Sequence, residues 1–172
     1  MIRVEKVGDA YLVFNEEDAK ALYWGPYFGR PLNNPKPKVG DKLTPMRLSK
    51  YEALYLLEQG KVEVMTGNRK LSVTKPVGNG LVVYTIYKDL RYKGLIVRSG
   101  LKFGATFAVY IKGPGIDHAP FLVQVVPKTY RLSGIEVIRA GRLSHGTRKR
   151  FVFATVSEQG KPIYITLSWV KS

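Results

Sequence analysis

Apolar residues recur along this chain at two spacings. In short runs or at period two they predict strands at residues 2–5 and 10–14 around Gly8-Asp9, and at 62–65 and 71–73 around Gly67-Asn68. Five more follow at 95–97, 105–110, 121–126, 151–156 and 162–170. At helical spacing the apolar positions predict a short helix over 16–22 and a longer one in which Ala53, Leu54, Leu56 and Leu57 form one buried face. That longer helix opens on Ser49-Lys50-Tyr51-Glu52, which has capping-box form, and ends at Gly60. Val82, Ile86 and Leu90 place a third helix over 81–93 with Gly94 as its stop, and Ser133-Gly134-Ile135-Glu136 opens a fourth that Gly146 closes.

Two stretches break the pattern. Residues 31–45 (PLNNPKPKVGDKLTP) hold almost no apolar residue and read as an exposed basic loop carrying Lys36, Lys38 and Lys42, either to touch the phosphates of a polyanion or simply to stay solvated. Residues 76–80 (PVGNG) mark a boundary, giving an N-terminal α/β domain over 1–77 and a C-terminal domain over 78–172. The fold class is therefore α/β, in the mixed α+β sense, with a smaller strand-helix-strand unit followed by a sheet interrupted by helices. The aromatic run Tyr23-Trp24-Gly25-Pro26-Tyr27-Phe28 is broken by Gly and Pro, and packing beneath the domain is a better reading of it than stacking on bases.

Charge changes the picture most. Across 172 residues, 28 Lys and Arg stand against 13 Asp and Glu, a net charge of +15, the electrostatic footprint of a polyanion binder. A ribosomal or merely heat-adapted basic protein is the alternative. No cysteine is present, which excludes disulfides, Cys-ligated zinc and thiol catalysis, and two histidines argue against an all-histidine metal site. No run approaches the roughly 18 apolar residues of a membrane span, and the first residues open as an ordinary strand rather than a signal peptide. The expectation is a soluble, cytoplasmic protein with no membrane partner.

Chemistry-bearing side chains gather between residues 102 and 153. Tyr110 ends an apolar run, His118 precedes the next, and Lys149 lies in a basic knot, Arg148-Lys149-Arg150, just before a third. Each is thus carried to the end of a predicted core strand, where a rigid scaffold can present it. Taken singly, a tyrosine at a strand end is usually structural and a lysine usually a surface residue.

The motifs GLKFGATFAVY, DHAPFLVQVV and RLSHGTRKRFVFA, with LSKYEALYLLEQGKVEV and YKDLRYKG upstream, closely resemble the archaeal tRNA-intron (splicing) endonucleases. The resemblance covers most of the chain, and the 31–45 loop looks longer than usual, as in the crenarchaeal type. It implies a restriction-endonuclease-like C-terminal catalytic domain with a central mixed sheet. It further implies metal-independent excision of introns from precursor tRNA at bulge-helix-bulge junctions, leaving 2′,3′-cyclic phosphate and 5′-hydroxyl ends and needing no cofactor.

By the same resemblance, Tyr110 is the general base, His118 the general acid and Lys149 the stabiliser of the charged transition state. A phenol titrates near ~10 and is a poor base at neutral pH unless cations favour its anion, a field that Lys149, Arg148 and Arg150 can supply. An imidazole titrates near ~6.5, close to the working range of an acid. Arg142 falls where the family often has an arginine that clamps a flipped base, the alternative being a solvated helix residue; Arg148 and Trp169 are further substrate-binding candidates. A second clamping arginine is not evident, and Tyr164 and Trp169 stand where one is expected.

The implied partners are precursor tRNA and a structural paralogous subunit in an α2β2 tetramer, otherwise further copies in a homotetramer. Ser157-Glu158-Gln159-Gly160-Lys161 has one acid and one lysine where the family docks an acidic loop, so assembly is expected to rest more on the apolar terminal strand. The competing reading within the family is a non-catalytic RNA-binding or structural subunit, which loss of Tyr, His or Lys would mark. A metal-dependent DNA nuclease is disfavoured, because Glu158-Gln159-Gly160-Lys161 has the wrong spacing for its acidic cluster.

Overall fold

The computed structural model describes residues 1–116, 121–147 and 149–167, which form two compact units, Met1–Lys75 and Pro76–Ser172. In the first, strands β1 (Ile2–Val7) and β2 (Ala10–Val13) make a hairpin in which Val7 faces Ala10. Helix α1 (Glu16–Tyr23), β3 (Arg30–Pro31), β4 (Met46–Leu48), helix α2 (Lys50–Glu58), β5 (Val62–Thr66) and β6 (Arg69–Leu71) follow. The sheet order is β3-β4-β2-β1-β5-β6, with β1 and β5 parallel. Val4, Val13, Met46, Leu54, Leu56 and Val64 fill its core.

Glu52 does more than the capping box required. Its N–H donates to Ser49 Oγ (3.1 Å) and its Oε2 accepts from Ser49 N–H (2.8 Å), while Oε1 also accepts from Gly29 N–H (3.1 Å). One buried carboxylate therefore caps α2 and ties down the turn after α1. Tyr23, Tyr27 and Phe28 of that turn are buried, with Tyr23 edge-on to Trp24 at 4.9 Å and to Tyr27 at 5.4 Å, so this aromatic run is core.

The 31–45 loop departs from the expectation of a segment exposed along its whole length. Pro31 belongs to β3, Leu43 is 1% exposed, and the Glu16 carboxylate accepts from Leu43 N–H (2.8 Å), Thr44 N–H (3.1 Å) and Thr44 Oγ1 (2.7 Å). Midway, Asp41 Oδ2 accepts from Asn34 Nδ2 and from Lys38 N–H. β4, only three residues long, is too short to show a period and was not anticipated; its pairing with β2 and β3 is what makes it a strand.

The second unit runs α3 (Asn79–Tyr92), β7 (Ile96–Ser99), a 3₁₀ turn (Leu101–Phe103), β8 (Phe107–Tyr110), β9 (Phe121–Val125), α4 (Gly134–Thr147), β10 (Arg150–Val156) and β11 (Pro162–Leu167). Its sheet order is β11-β10-β9-β8-β7, antiparallel except for β9 and β10. A parallel pair cannot be closed by a hairpin, and α4 supplies the crossover. Ser133 caps α4 by accepting from Glu136 N–H (3.2 Å), but the Glu136 carboxylate takes the Tyr130 hydroxyl (2.6 Å) and the box is only half made.

Alternation along the strands sorts the sheet into two faces. Ala108, Leu122, Phe151 and Phe153 pack with Ala140 of α4 in one cluster. Val109, Phe121, Val123, Val152 and Tyr164 face the other way and line an apolar groove with Leu90 of α3. Among the described residues, no helix is long and apolar enough to cross a membrane.

Candidate active site

Strand register gathers three chain segments at one end of the second sheet. Val109 of β8 is paired with Phe121 of β9, and Phe121 with Arg150 of β10. Because β8 runs against β9 while β10 runs with it, the exit of β8 and the entries to β9 and β10 lie side by side. With strands roughly 4.8 Å apart, two steps across the sheet cover about 10 Å. Tyr110 is the residue after Val109, and Lys149 the one before Arg150.

Tyr110 is half-buried and packs against the α4-side cluster. Lys149 is fixed at both main-chain groups by one serine. Its N–H donates to the Ser144 carbonyl (3.2 Å), and its own carbonyl accepts from Ser144 Oγ. Its ammonium lies 5.3 Å from the centroid of the Phe103 ring, and that of Lys102 lies 5.7 Å from the same ring. Phe103 in turn packs on the cluster that supports Tyr110 and Leu143.

The turn that carries Lys102 and Phe103 is held by Gly100. Gly100 N–H donates to Thr106 O, and Gly100 O accepts from the N–H groups of Phe103 (2.9 Å) and Ala105 (3.0 Å). A Cβ here would meet the Phe107 carbonyl carbon at 2.7 Å and the Ala105 oxygen at 2.8 Å, so glycine is required by close backbone approach. Phe103, Ser144 and Gly100 were not singled out in the sequence; the two glycines bracketing Leu101-Lys102-Phe103 were the available signal.

The other candidates are dispersed. Arg142 is exposed on α4, and Lys36, Lys38 and Lys42 are exposed on the 31–45 loop of the first unit. His118, Arg148 and Trp169 lie outside the described residues. Tyr164 is on the sheet face opposite the Tyr110 cluster; its hydroxyl donates to Asp89 Oδ2 (2.5 Å), and burial together with that carboxylate pushes the phenol far up. Its position there removes it as a stacking partner on the Tyr110 side.

Charge is unequally divided. Residues 1–75 carry 13 Lys and Arg against 9 Asp and Glu, and residues 76–172 carry 15 against 4. Of the second unit's few acids, Asp89 is bonded to Tyr164 and Lys93, and Glu136 to Tyr130. The unit is therefore strongly basic, and Lys149 and Arg150 bring two of its cations to the end of the sheet where Tyr110 stands, suited to a phosphate backbone. Among the described residues no cluster of three or more His, Cys, Asp or Glu is present.

Residues 2–75 match the family described as tRNA intron endonuclease, N-terminal domain, and residues 81–166 match tRNA intron endonuclease, catalytic C-terminal domain. The chain belongs to the tRNA intron endonuclease family. The tRNA-splicing endonuclease of Hyperthermus butylicus is 41% identical over 180 residues, covering 99% of each chain. That of Sulfurisphaera tokodaii is 39% identical over 97% of this chain and 98% of its own, and that of Sulfolobus acidocaldarius 37% identical over 99% of each. The cationic sheet end described above thus belongs to the unit that carries the family's catalytic domain.

Proposed function

We propose that this tRNA intron endonuclease family member is itself catalytic and excises introns from precursor tRNA by metal-independent cleavage at bulge-helix-bulge junctions. The observation that carries the reading is the shared register of Val109, Phe121 and Arg150, which sets Tyr110 and Lys149 at one end of one sheet within the family's catalytic domain. His118 precedes Phe121 by three positions in the sequence.

RNA brings its own nucleophile, so three organic groups suffice. Tyr110, as its phenolate, takes the proton of the 2′-hydroxyl as that oxygen attacks the adjacent phosphorus. His118, entering as imidazolium, gives its proton to the leaving 5′-oxygen as the P–O5′ bond breaks. The Lys149 ammonium stabilises the charge on the phosphorane. The products are a 2′,3′-cyclic phosphate and a 5′-hydroxyl. Arg142 stacks on an extruded base, Arg148 and Trp169 add substrate contacts, and Lys36, Lys38 and Lys42 bind phosphates.

For assembly, β11 is an edge strand with Ile163 41% and Ile165 49% exposed, which supports docking of another subunit there, a structural paralogue in an α2β2 tetramer or another copy of this chain. Sizing the chain expressed alone, with its activity, separates these two. The catalytic reading is tested by cleavage of a bulge-helix-bulge RNA in excess EDTA. Undiminished cleavage, and a fall of about a hundredfold in His118→Ala with RNA binding retained, are expected. Loss of cleavage in EDTA that magnesium restores would overturn the mechanism. Parent-level activity in His118→Ala would return the chain to the role of an RNA-binding subunit.

A further inference from the structure

We infer that Phe103 is a positioning residue for the cleavage reaction: its ring is the platform that holds the Lys149 ammonium, with Lys102 as a second cation on the same ring. This rests on the catalytic reading above.

Lysine has four rotatable side-chain bonds, and an ammonium left to solvent samples many positions. Charge stabilisation in a transition state is effective only when the charge is already in place, because reorganisation at the moment of reaction erodes the gain. The main chain of Lys149 is fixed by Ser144 from both sides, yet this leaves its side chain unrestrained. No ion pair from Lys149 to a carboxylate occurs among the described residues, and a carboxylate here would partly cancel the charge that the phosphorane needs. An aromatic face solves both difficulties. It attracts an ammonium through its quadrupole while carrying no net charge of its own.

The ring is in turn well anchored. Phe103 packs against the cluster of Ala105, Ala108, Leu122, Ala140, Phe151 and Phe153, and the turn that carries it is held by the close approach of Gly100 to Phe107. Its anchoring cluster is the one that also supports Tyr110, so base and cation share one foundation. The two ammonium groups lie no more than 11 Å apart, since they are 5.7 and 5.3 Å from the same ring centroid. That spacing lets Lys149 serve the scissile phosphate while Lys102 engages a neighbouring one.

The test replaces Phe103 by phenylalanines carrying one, two and three ring fluorines, which keep shape and packing while draining the ring of its negative face. The full chain, with any partner subunit, is assayed on a bulge-helix-bulge RNA for cleavage rate at saturation and for RNA affinity separately. The expected result is a stepwise fall in cleavage rate, reaching about tenfold at three fluorines, with affinity changed less than threefold. Phe103→Trp should keep the rate within about threefold of the parent and Phe103→Leu should fall at least as far as the trifluoro variant. In the Lys149→Ala background the same replacements should have no further effect on rate, because the ring acts through that lysine.

A flat fluorination series with Lys149→Ala inactive overturns the inference and leaves the catalytic reading standing. So does an equal fluorination effect with and without Lys149. Parent-level cleavage by Lys149→Ala would instead overturn the catalytic role of Lys149, and the inference with it.

Discussion

The lysines of the 31–45 loop and Lys149 are both anchored through their backbones, but to different depths. Asp41 gathers the middle of the loop and Glu16 its exit, so the main chain that carries Lys36, Lys38 and Lys42 is organised while their side chains stand exposed. Lys149 is half-buried, with its peptide groups bonded to Ser144 and its ammonium against an aromatic ring. A charge on an exposed flexible arm contributes to affinity and is screened by salt. A charge held in place contributes to a transition state, because its position is settled before the reaction begins. Charge count alone does not distinguish these lysines; the restraints on each do, and the restrained one is the one the proposed mechanism uses.

The sharpest way to break this contrast is at Lys149, which the proposed mechanism makes catalytic. Lys149→Ala should lower the cleavage rate by about two to three orders of magnitude at any salt concentration, measured under single-turnover conditions. A loss that vanishes at low salt would place Lys149 with the loop lysines instead.

The structural anchors differ too. Glu52→Ala removes the carboxylate that caps α2 and leaves the Ser49 and Gly29 N–H groups without it, for an expected cost of about 3 kcal/mol in the first unit. Gly100→Ala drives a Cβ into the Phe107 backbone and should cost about 2 kcal/mol in the second. Amide exchange resolved by segment would read both, and should find the Gly100→Ala variant losing protection around the 101–103 turn. If the Glu52→Ala change deprotects only the α2 end and leaves the segment near Gly29 as it was, the shared anchor is not real.

Glu16 allows a test by pH. Burial pushes its carboxyl up, but the hydrogen bonds from Leu43 and Thr44, with the nearby Lys20 charge, outweigh it and hold the group below its ordinary value of 4.5. A carboxyl depressed on folding contributes stability that is present above the unfolded value and lost as pH falls through the folded one. Glu16→Gln should therefore destabilise the first unit by about 1–2 kcal/mol at neutral pH, and the difference from the parent should shrink as pH falls below 4.5. A constant difference across that range would show that shape rather than charge fixes the loop exit.

The smallest effect belongs to the loop lysines. Replacing Lys36, Lys38 and Lys42 together by alanine should flatten the salt dependence of RNA binding by about one to three units, with the saturated cleavage rate unchanged. Titrations of one RNA across a salt series would read it. A fall in saturated rate instead would mean that the loop takes part in more than binding.

Much was legible in the sequence because it depends on near neighbours. Period two and helical spacing located the helices and most strands. The Ser49/Glu52 pair announced the start of α2, and the apolar runs ending at Tyr110 and beginning after Lys149 placed both residues at strand ends. The half-made box at Ser133 shows the limit of such local signals, since the Tyr130 hydroxyl competes for the Glu136 carboxylate. Three-residue β4 and the buried exit of the 31–45 loop escaped notice, because a segment that short has no periodicity and Leu43 is buried by a loop exit tied to Glu16, 27 positions away.

The sequence by itself determined the two-part mixed α/β class and the positive charge, and it put Tyr110 and Lys149 forward as candidates at strand ends, all of which is local or compositional. Only the tertiary structure decided that β9 and β10 run parallel with α4 between them, and hence that the exit of β8 and the entry to β10 share one end of the sheet. It alone set Phe103 against Lys149, 46 positions further along the chain, and turned Tyr164 to the opposite face. Register and facing are properties of strand pairs. No single run of residues carries them, because each strand's side-chain alternation is fixed only when its partner is in place.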